Sequence, residues 1–280
     1  MFPPYLAIPA AELGKGTPVK VRIVGDMPSL GRDLADVLKQ EIVTANREGR
    51  GGTFIIPIGP VDQYPLLAQE LNEEKISCRD VVFIGMDEYL DERGAWLPEN
   101  HPLSFRGHLN RMFYSVLEPA LAPPPEHRIF PDPHSLSTLP KLIAERGGVD
   151  ACFGGIGITG HLAFNEPPES GDKMVSLESF AARQTRVLAL SRETRTINSV
   201  TVGGEIAIIP QLAVTVGMKE ILGARRLRLY CNRPWQSAVV RRALHGPISP
   251  ACPASLIRTH ADAVLTVADY VAAPPDIRLR

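Results

Sequence analysis

Short apolar runs of strand length recur along this chain, and stretches with helical spacing lie between them. "TFIIPI" (53–58) and "DVVFIGM" (80–86) are continuous apolar runs, and "VDACFGGIG" (149–157) is a third run of the same kind. A run with no polar face predicts a strand buried on both sides. Leu34, Val37, Leu38 and Ile42 recur at helical spacing, which predicts an amphipathic helix over 30–47. "YPLLAQELNEE" (64–74) and the stretches 137–146 and 234–245 read as further helices. "VKVRIV" (19–24) is an alternating strand, and "TRVLAL", "LRLYC" and "AVLTV" supply three more. Apolar strands alternating with amphipathic helices predict an α/β fold with a parallel sheet covered on both faces.

The chain has 280 residues, within reach of one α/β domain, and no internal repeat is visible. The Pro-rich stretch "PALAPPPEH" (119–127) does not demand a boundary, so a single domain over 1–280 is expected. A formal net charge of −1 gives nucleic acid or an anionic membrane nothing to attract. The N-terminus lacks a basic segment followed by an apolar one, and no apolar run nears the roughly 20 residues that span a bilayer. The expectation is a soluble, cytoplasmic protein. Cys78, Cys152, Cys231 and Cys252 show no CxxC spacing and read as buried, reduced thiols.

Ligands on parallel sheets gather at the carboxyl ends of the strands. The segments that matter are therefore 57–62, 86–90, 155–166, 191–192 and 231–235. In "CFGGIGITGHLAFNEP" (152–167), Gly155, Gly157 and Gly160 spell G-x-G-x-x-G. A dinucleotide cradle needs a helix starting inside that pattern and an acidic residue at the next strand end. Here the glycines run into a stretch closed by two prolines, and neither requirement is met. A glycine-rich turn also brings backbone N–H groups close to a ligand, and His161 and Glu166 emerge beside it. Asp87, Glu88 and Tyr89 follow a second buried strand. Together these point to acid–base chemistry by Asp87, His161 and Glu166 with no metal and no cofactor.

"GMDEYL", "LPENHPLSF", "GGIGITGHLAFNEP" and "LAVTVGMKEILGA" together resemble the glucosamine-6-phosphate deaminase/isomerase family, in order over roughly 20–270. The 6-phosphogluconolactonases share the glycine turn and its histidine, but not "AFNEP". The resemblance implies a three-layer α/β/α sandwich with a modified Rossmann-like, mostly parallel sheet. It implies ring opening of an amino-sugar phosphate, proton transfer between C2 and C1, and loss of ammonia to give the ketose. By motif, Asp87 is the proton shuttle, His161 the ring-opening acid/base and Glu166 its acidic partner. Gly59, Glu88, Gly155, Gly157, Thr159, Gly160, Arg192 and Arg233 are the implied substrate contacts. Self-association is implied by resemblance alone, with a small-molecule sugar as the partner.

Three departures bear on substrate. The family turn reads G-x-G-x-D-G-H, and Thr159 stands in the place of its aspartate, which should lower the pKa of His161. The family phosphate loop is replaced by "PIGPVDQY" (57–64), shorter and with Asp62 in it. The family's phosphate lysine is missing from "CNRPWQSAVV", where Arg233 is a stand-in, while Arg192 matches a phosphate arginine. An atypical sugar, unphosphorylated or with a smaller anionic group held by Arg192 and Arg233, is therefore expected. The alternatives are a non-catalytic sugar-binding or regulatory protein and a lactonase-like hydrolase. The segment 168–185 is a candidate lid.

Overall fold

β2 (Thr53–Ile56) and β3 (Val82–Gly85) are buried along their whole lengths and lie side by side, parallel, from Thr53 opposite Val82 to Ile56 opposite Gly85. They are interior strands of a seven-stranded parallel sheet. Its other members are β1 (Lys20–Val24), β5 (Arg128–Ile129), β6 (Ala151–Gly154), β9 (Arg226–Cys231) and β10 (Ala263–Ala268). The order across the sheet is β1-β10-β9-β6-β2-β3-β5. These are features of a computed structural model, which describes residues 1–59, 63–169 and 175–278.

Helices cover both sides of this sheet, giving the expected α/β/α sandwich. They are α1 (Met27–Arg47), α2 (Gln63–Glu73), α3 (Phe105–Leu109), α4 (Thr138–Glu145), α5 (Leu177–Ala181), α6 (Arg192–Ser199), α7 (Met218–Leu222), α8 (Gln236–His245) and α9 (Asp269–Ala272). α1 buries Leu30, Leu34, Leu38 and Ile42, the stripe its spacing predicts. It starts three residues earlier than expected. Asp26 caps it by accepting from the Ser29 N–H at 2.8 Å, and Pro28 falls in the first turn, where no N–H is needed. All four cysteines are buried and unbridged. Among the described residues no helix is long and apolar enough to cross a membrane.

The expectation for "TRVLAL" needs correcting. β7 (Arg186–Ala189) is not in the parallel sheet but at the edge of a second, antiparallel one, in the order β4-β8-β7, with β4 (Asp87–Leu90) and β8 (Leu212–Thr215). Its side chains alternate between partly buried and exposed, the pattern of a strand with one covered face. Residues 87–90, which follow the buried strand β3, are themselves a strand. The chain leaves the main sheet at Met86, whose N–H donates to Ile56 O and whose carbonyl accepts from Val216 N–H. It enters the small sheet at Asp87, opposite Thr215.

Growth of the main sheet reverses beside β2. β3 and β5 lie on one side of it, and β6, β9, β10 and β1 on the other. The crevice at the carboxyl ends of β2 and β6 is where such sheets bind ligands.

Candidate active site

A cleft of about 260 Å³ opens at that crevice. Residues that follow four strands of the main sheet line it: Gly59 after β2, Asp87 after β3, Gly155 and Gly157 after β6, and Arg233 after β9. His161 joins them from the turn that follows β6, and Phe105 and Phe164 make an apolar wall.

Asp87 is buried because it sits where the chain crosses between the two sheets. Burial, and then the negative charge of Glu88 beside it, push its pKa up to about 8. The Glu88 carboxylate does not face the cleft, which corrects its expected substrate contact. It is fully buried and accepts from the backbone N–H groups of Tyr89, Phe105 and Arg106 at 2.9, 3.0 and 2.9 Å. The Ser104 hydroxyl donates to it at 3.0 Å. Glu88 therefore anchors the first turn of α3, and with it Phe105, to the strand that carries Asp87.

The glycine turn is shaped around the histidine. Gly157 N–H donates to the His161 carbonyl at 3.0 Å, and Gly160 N–H to the Gly157 carbonyl at 2.9 Å. Gly160 has φ of +87°, and any Cβ there would press on Cys252 Sγ, so it is a turn-former and not a cleft-lining residue. "AFNEP" is held by Asn165, which is fully buried. Its amide donates to the Leu162 and Val216 carbonyls, each at 2.9 Å, and accepts from Arg186 at 2.6 Å. Ala163, on the cleft wall, has φ of +52°, a left-handed conformation that costs a non-glycine residue of order 1–3 kcal/mol.

Glu166 faces away from the cleft and sits in a cage of hydroxyls. Thr159 donates to Oε2 at 2.6 Å, Ser191 to Oε1 at 3.1 Å, and Thr194 also to Oε1. His161 Nδ1 lies 3.2 Å from Oε2. Burial alone would raise the Glu166 pKa, but the hydrogen bond and charge of His161 and the threonine hydroxyls outweigh it and hold it at about 2.

Thr159, expected to touch substrate, instead bridges Glu166 and His161 Nδ1, the latter at 2.9 Å. It lines, with Glu166 and Arg192, a separate cleft of about 800 Å³. Arg192 and Arg233 thus belong to different clefts, and the expectation that they hold one anion between them is corrected. Arg233 is exposed at the rim of the first cleft, while its backbone N–H is tied to Gln236 Oε1 at 2.7 Å. Asp62 lies outside the described residues, as do 170–174 of the expected lid. The described part of 168–185 includes the helix α5.

Sequence reasoning placed Ser191 in a strand-end segment without giving it a role, and it missed Thr194 and Asn198; all three come from α6 or its cap. Ser191 is the N-cap, Thr194 follows in the first turn, and Asn198 lies four residues beyond it on the same face. Asn198 lines the first cleft and donates to the Tyr89 hydroxyl at 2.9 Å. The S-x-x-T spacing after a strand is the one available signal.

No family model matches the chain. It is 29% identical over 264 residues to a glucosamine-6-phosphate deaminase of Streptomyces avermitilis, covering 91% of this chain and 92% of that one. It is 28% identical over 255 residues to the enzyme of the same name from Phocaeicola vulgatus, covering 88% and 90%. The chain resembles the glucosamine-6-phosphate deaminases. A solved monomeric glucosamine-6-phosphate deaminase superposes with a TM-score of 0.76 at 24% identity, over 91% of this chain and 99% of that one. A 6-phosphogluconolactonase from Trypanosoma cruzi gives 0.64 at 17%, over 91% and 95%. The fold is therefore the one these deaminases and lactonases share. The deaminase likeness extends to the sequence as well.

Proposed function

We propose that the protein is a deaminase-like aldose–ketose isomerase acting on a sugar or amino sugar that lacks a 6-phosphate. The observation that carries this reading is a buried carboxyl, Asp87, and an imidazole, His161, lining one cleft at the carboxyl ends of the sheet. His161 moves a proton at the ring oxygen to open the pyranose. Asp87 removes the proton from C2 and returns it to C1. The turns at Gly59 and Gly155 line the cleft and bring backbone close to the oxygen that gains negative charge between those steps. With a 2-amino group on the substrate, protonation at C1 leaves an imine at C2, and water releases ammonia and the ketose.

Charge supports a substrate without a 6-phosphate. Arg233 is the one arginine or lysine among the described residues lining the cleft, and it is at the rim. A dianion would be left largely uncompensated, whereas hydroxyls and one carboxylate are within reach of Asn198, Asn232 and Arg233. The test is an assay for ketose and ammonia over matched pairs of sugars with and without the 6-phosphate. The reading expects the unphosphorylated member of a pair to turn over with the higher kcat/KM. A preference for the phosphorylated member throughout would overturn the substrate assignment.

A further inference from the structure

The hydroxyl cage around Glu166 has a consequence for which nitrogen of His161 can act. A hydroxyl has one hydrogen to give. Thr159 and Thr194 each have a choice between the Glu166 carboxylate and His161 Nδ1. Thr159 Oγ1 is 2.6 Å from Glu166 Oε2 and 2.9 Å from Nδ1. Thr194 Oγ1 is in close contact with Glu166 Oε1 and 3.3 Å from Nδ1. Hydrogen bonds to an ionised acceptor are the shorter and stronger ones, so both hydrogens go to the carboxylate. Both threonine oxygens then turn lone pairs toward Nδ1, and so does Glu166 Oε2 at 3.2 Å. Three acceptors face one ring nitrogen, and a hydrogen on Nδ1 satisfies them. On the opposite edge of the ring Nε2 stands against Gly157, where only the absence of a Cβ leaves it room, at the cleft wall.

We propose that Thr194 is a positioning residue for the proton step, acting with Thr159 to hold His161 as the Nδ1–H tautomer with Nε2 as the working atom. Thr194 is fully buried and lines neither cleft, so it acts only through Glu166 and His161. It is also the point where α6 grips the histidine. The same face of that helix, one turn on, carries Asn198 into the cleft.

The kinetic half of this inference rests on the function proposed above, and the spectroscopic half does not. With 15N-histidine labelling, the neutral form of His161 in the whole protein is expected to show a pyrrole-type Nδ1 and a pyridine-type Nε2. A pyridine-type Nδ1 overturns the proposal, whatever the substrate. In turnover, Thr194→Val is expected to lower kcat roughly 10- to 100-fold through ring misplacement while KM stays within about twofold. Thr194→Ser, which keeps the hydroxyl, is expected to stay within about twofold of wild type in both. If Thr194→Val keeps the wild-type kcat, or if Thr194→Ser falls as far as the valine variant, Thr194 is only a packing residue. If no sugar turns over, the function fails, and the nitrogen shifts still decide the tautomer.

Discussion

Gly157 and His161 share one space: the position a Cβ would take on Gly157 is filled by the His161 imidazole, with Nε2 the nearest atom. A glycine four residues before the histidine is therefore a condition for the ring to reach the cleft. Gly157→Ala is expected to push the ring off its hydroxyl partners and to cost about 1–3 kcal/mol of stability by overpacking. Turnover should fall far more than the melting temperature suggests. Denaturant unfolding and kcat measured on the same variant check this. An alanine variant with wild-type turnover would show that the ring is not the working group.

Asp87 has a folded pKa of about 8 against an ordinary value of 3.8. The native state thus binds a proton that the unfolded chain releases across that interval, and stability contributed by the neutral carboxyl declines as pH rises from about 4 to about 8. Asp87→Asn removes the ionisable group. The variant is expected to be more stable relative to wild type at pH 8.5 than at pH 4.5, while turnover falls roughly 100- to 10,000-fold with loss of the proton carrier. Wild-type kcat/KM should rise as pH passes through about 8, because the base form is the anion. Melting curves and pH–rate profiles of both proteins test each half separately.

Glu166 shifts the other way, to about 2 from an ordinary 4.5, with His161 and the threonine hydroxyls as partners. Its stabilising contribution is complete above about 4.5 and is lost as pH falls toward 2. Glu166→Gln is therefore expected to lower the melting temperature at pH 7 and to differ much less from wild type near pH 2.5. An equal deficit at both pH values would place the effect in packing rather than charge.

Asn198 offers one end of its amide to Tyr89 and lines the cleft with the rest. A sugar hydroxyl both donates and accepts, so it suits either orientation of that amide. Asn198→Ala is expected to raise KM about 5- to 10-fold, the worth of one hydrogen bond, with kcat changed less. Steady-state kinetics on the best substrate would show it. An unchanged KM would place Asn198 outside the binding surface.

Much of this architecture is legible in the chain because burial on both faces leaves no polar position in a strand. "TFIIPI" and "DVVFIGM" could be read as strands buried on both faces for that reason, and both are buried along their whole lengths. The small sheet was not legible. β4 is four residues of "DEYL", all buried, whose acidic start reads as a loop. Glu88 illustrates the same limit: a carboxylate in a strand-end motif looks like a ligand contact, but here its partners include a hydroxyl and two N–H groups 16 to 18 residues away. Local spacing placed His161 and Glu166 together. It could not place Thr194, which reaches Glu166 across 28 residues through the start of α6. The division of the arginines between two clefts is likewise a property of the fold, since Arg192 and Arg233 carry the same charge and both follow strands.

The central claim is that Asp87 moves a proton at C2 of a sugar bound without a 6-phosphate. Its most direct measurement is deuterium incorporation at C2, followed by proton NMR in D2O, for paired phosphorylated and unphosphorylated aldoses and 2-amino sugars. The account predicts C2 exchange in at least one unphosphorylated sugar with wild-type protein and its loss with Asp87→Asn, while that sugar still binds the variant. Exchange that survives in Asp87→Asn, or none in any unphosphorylated sugar, would contradict it.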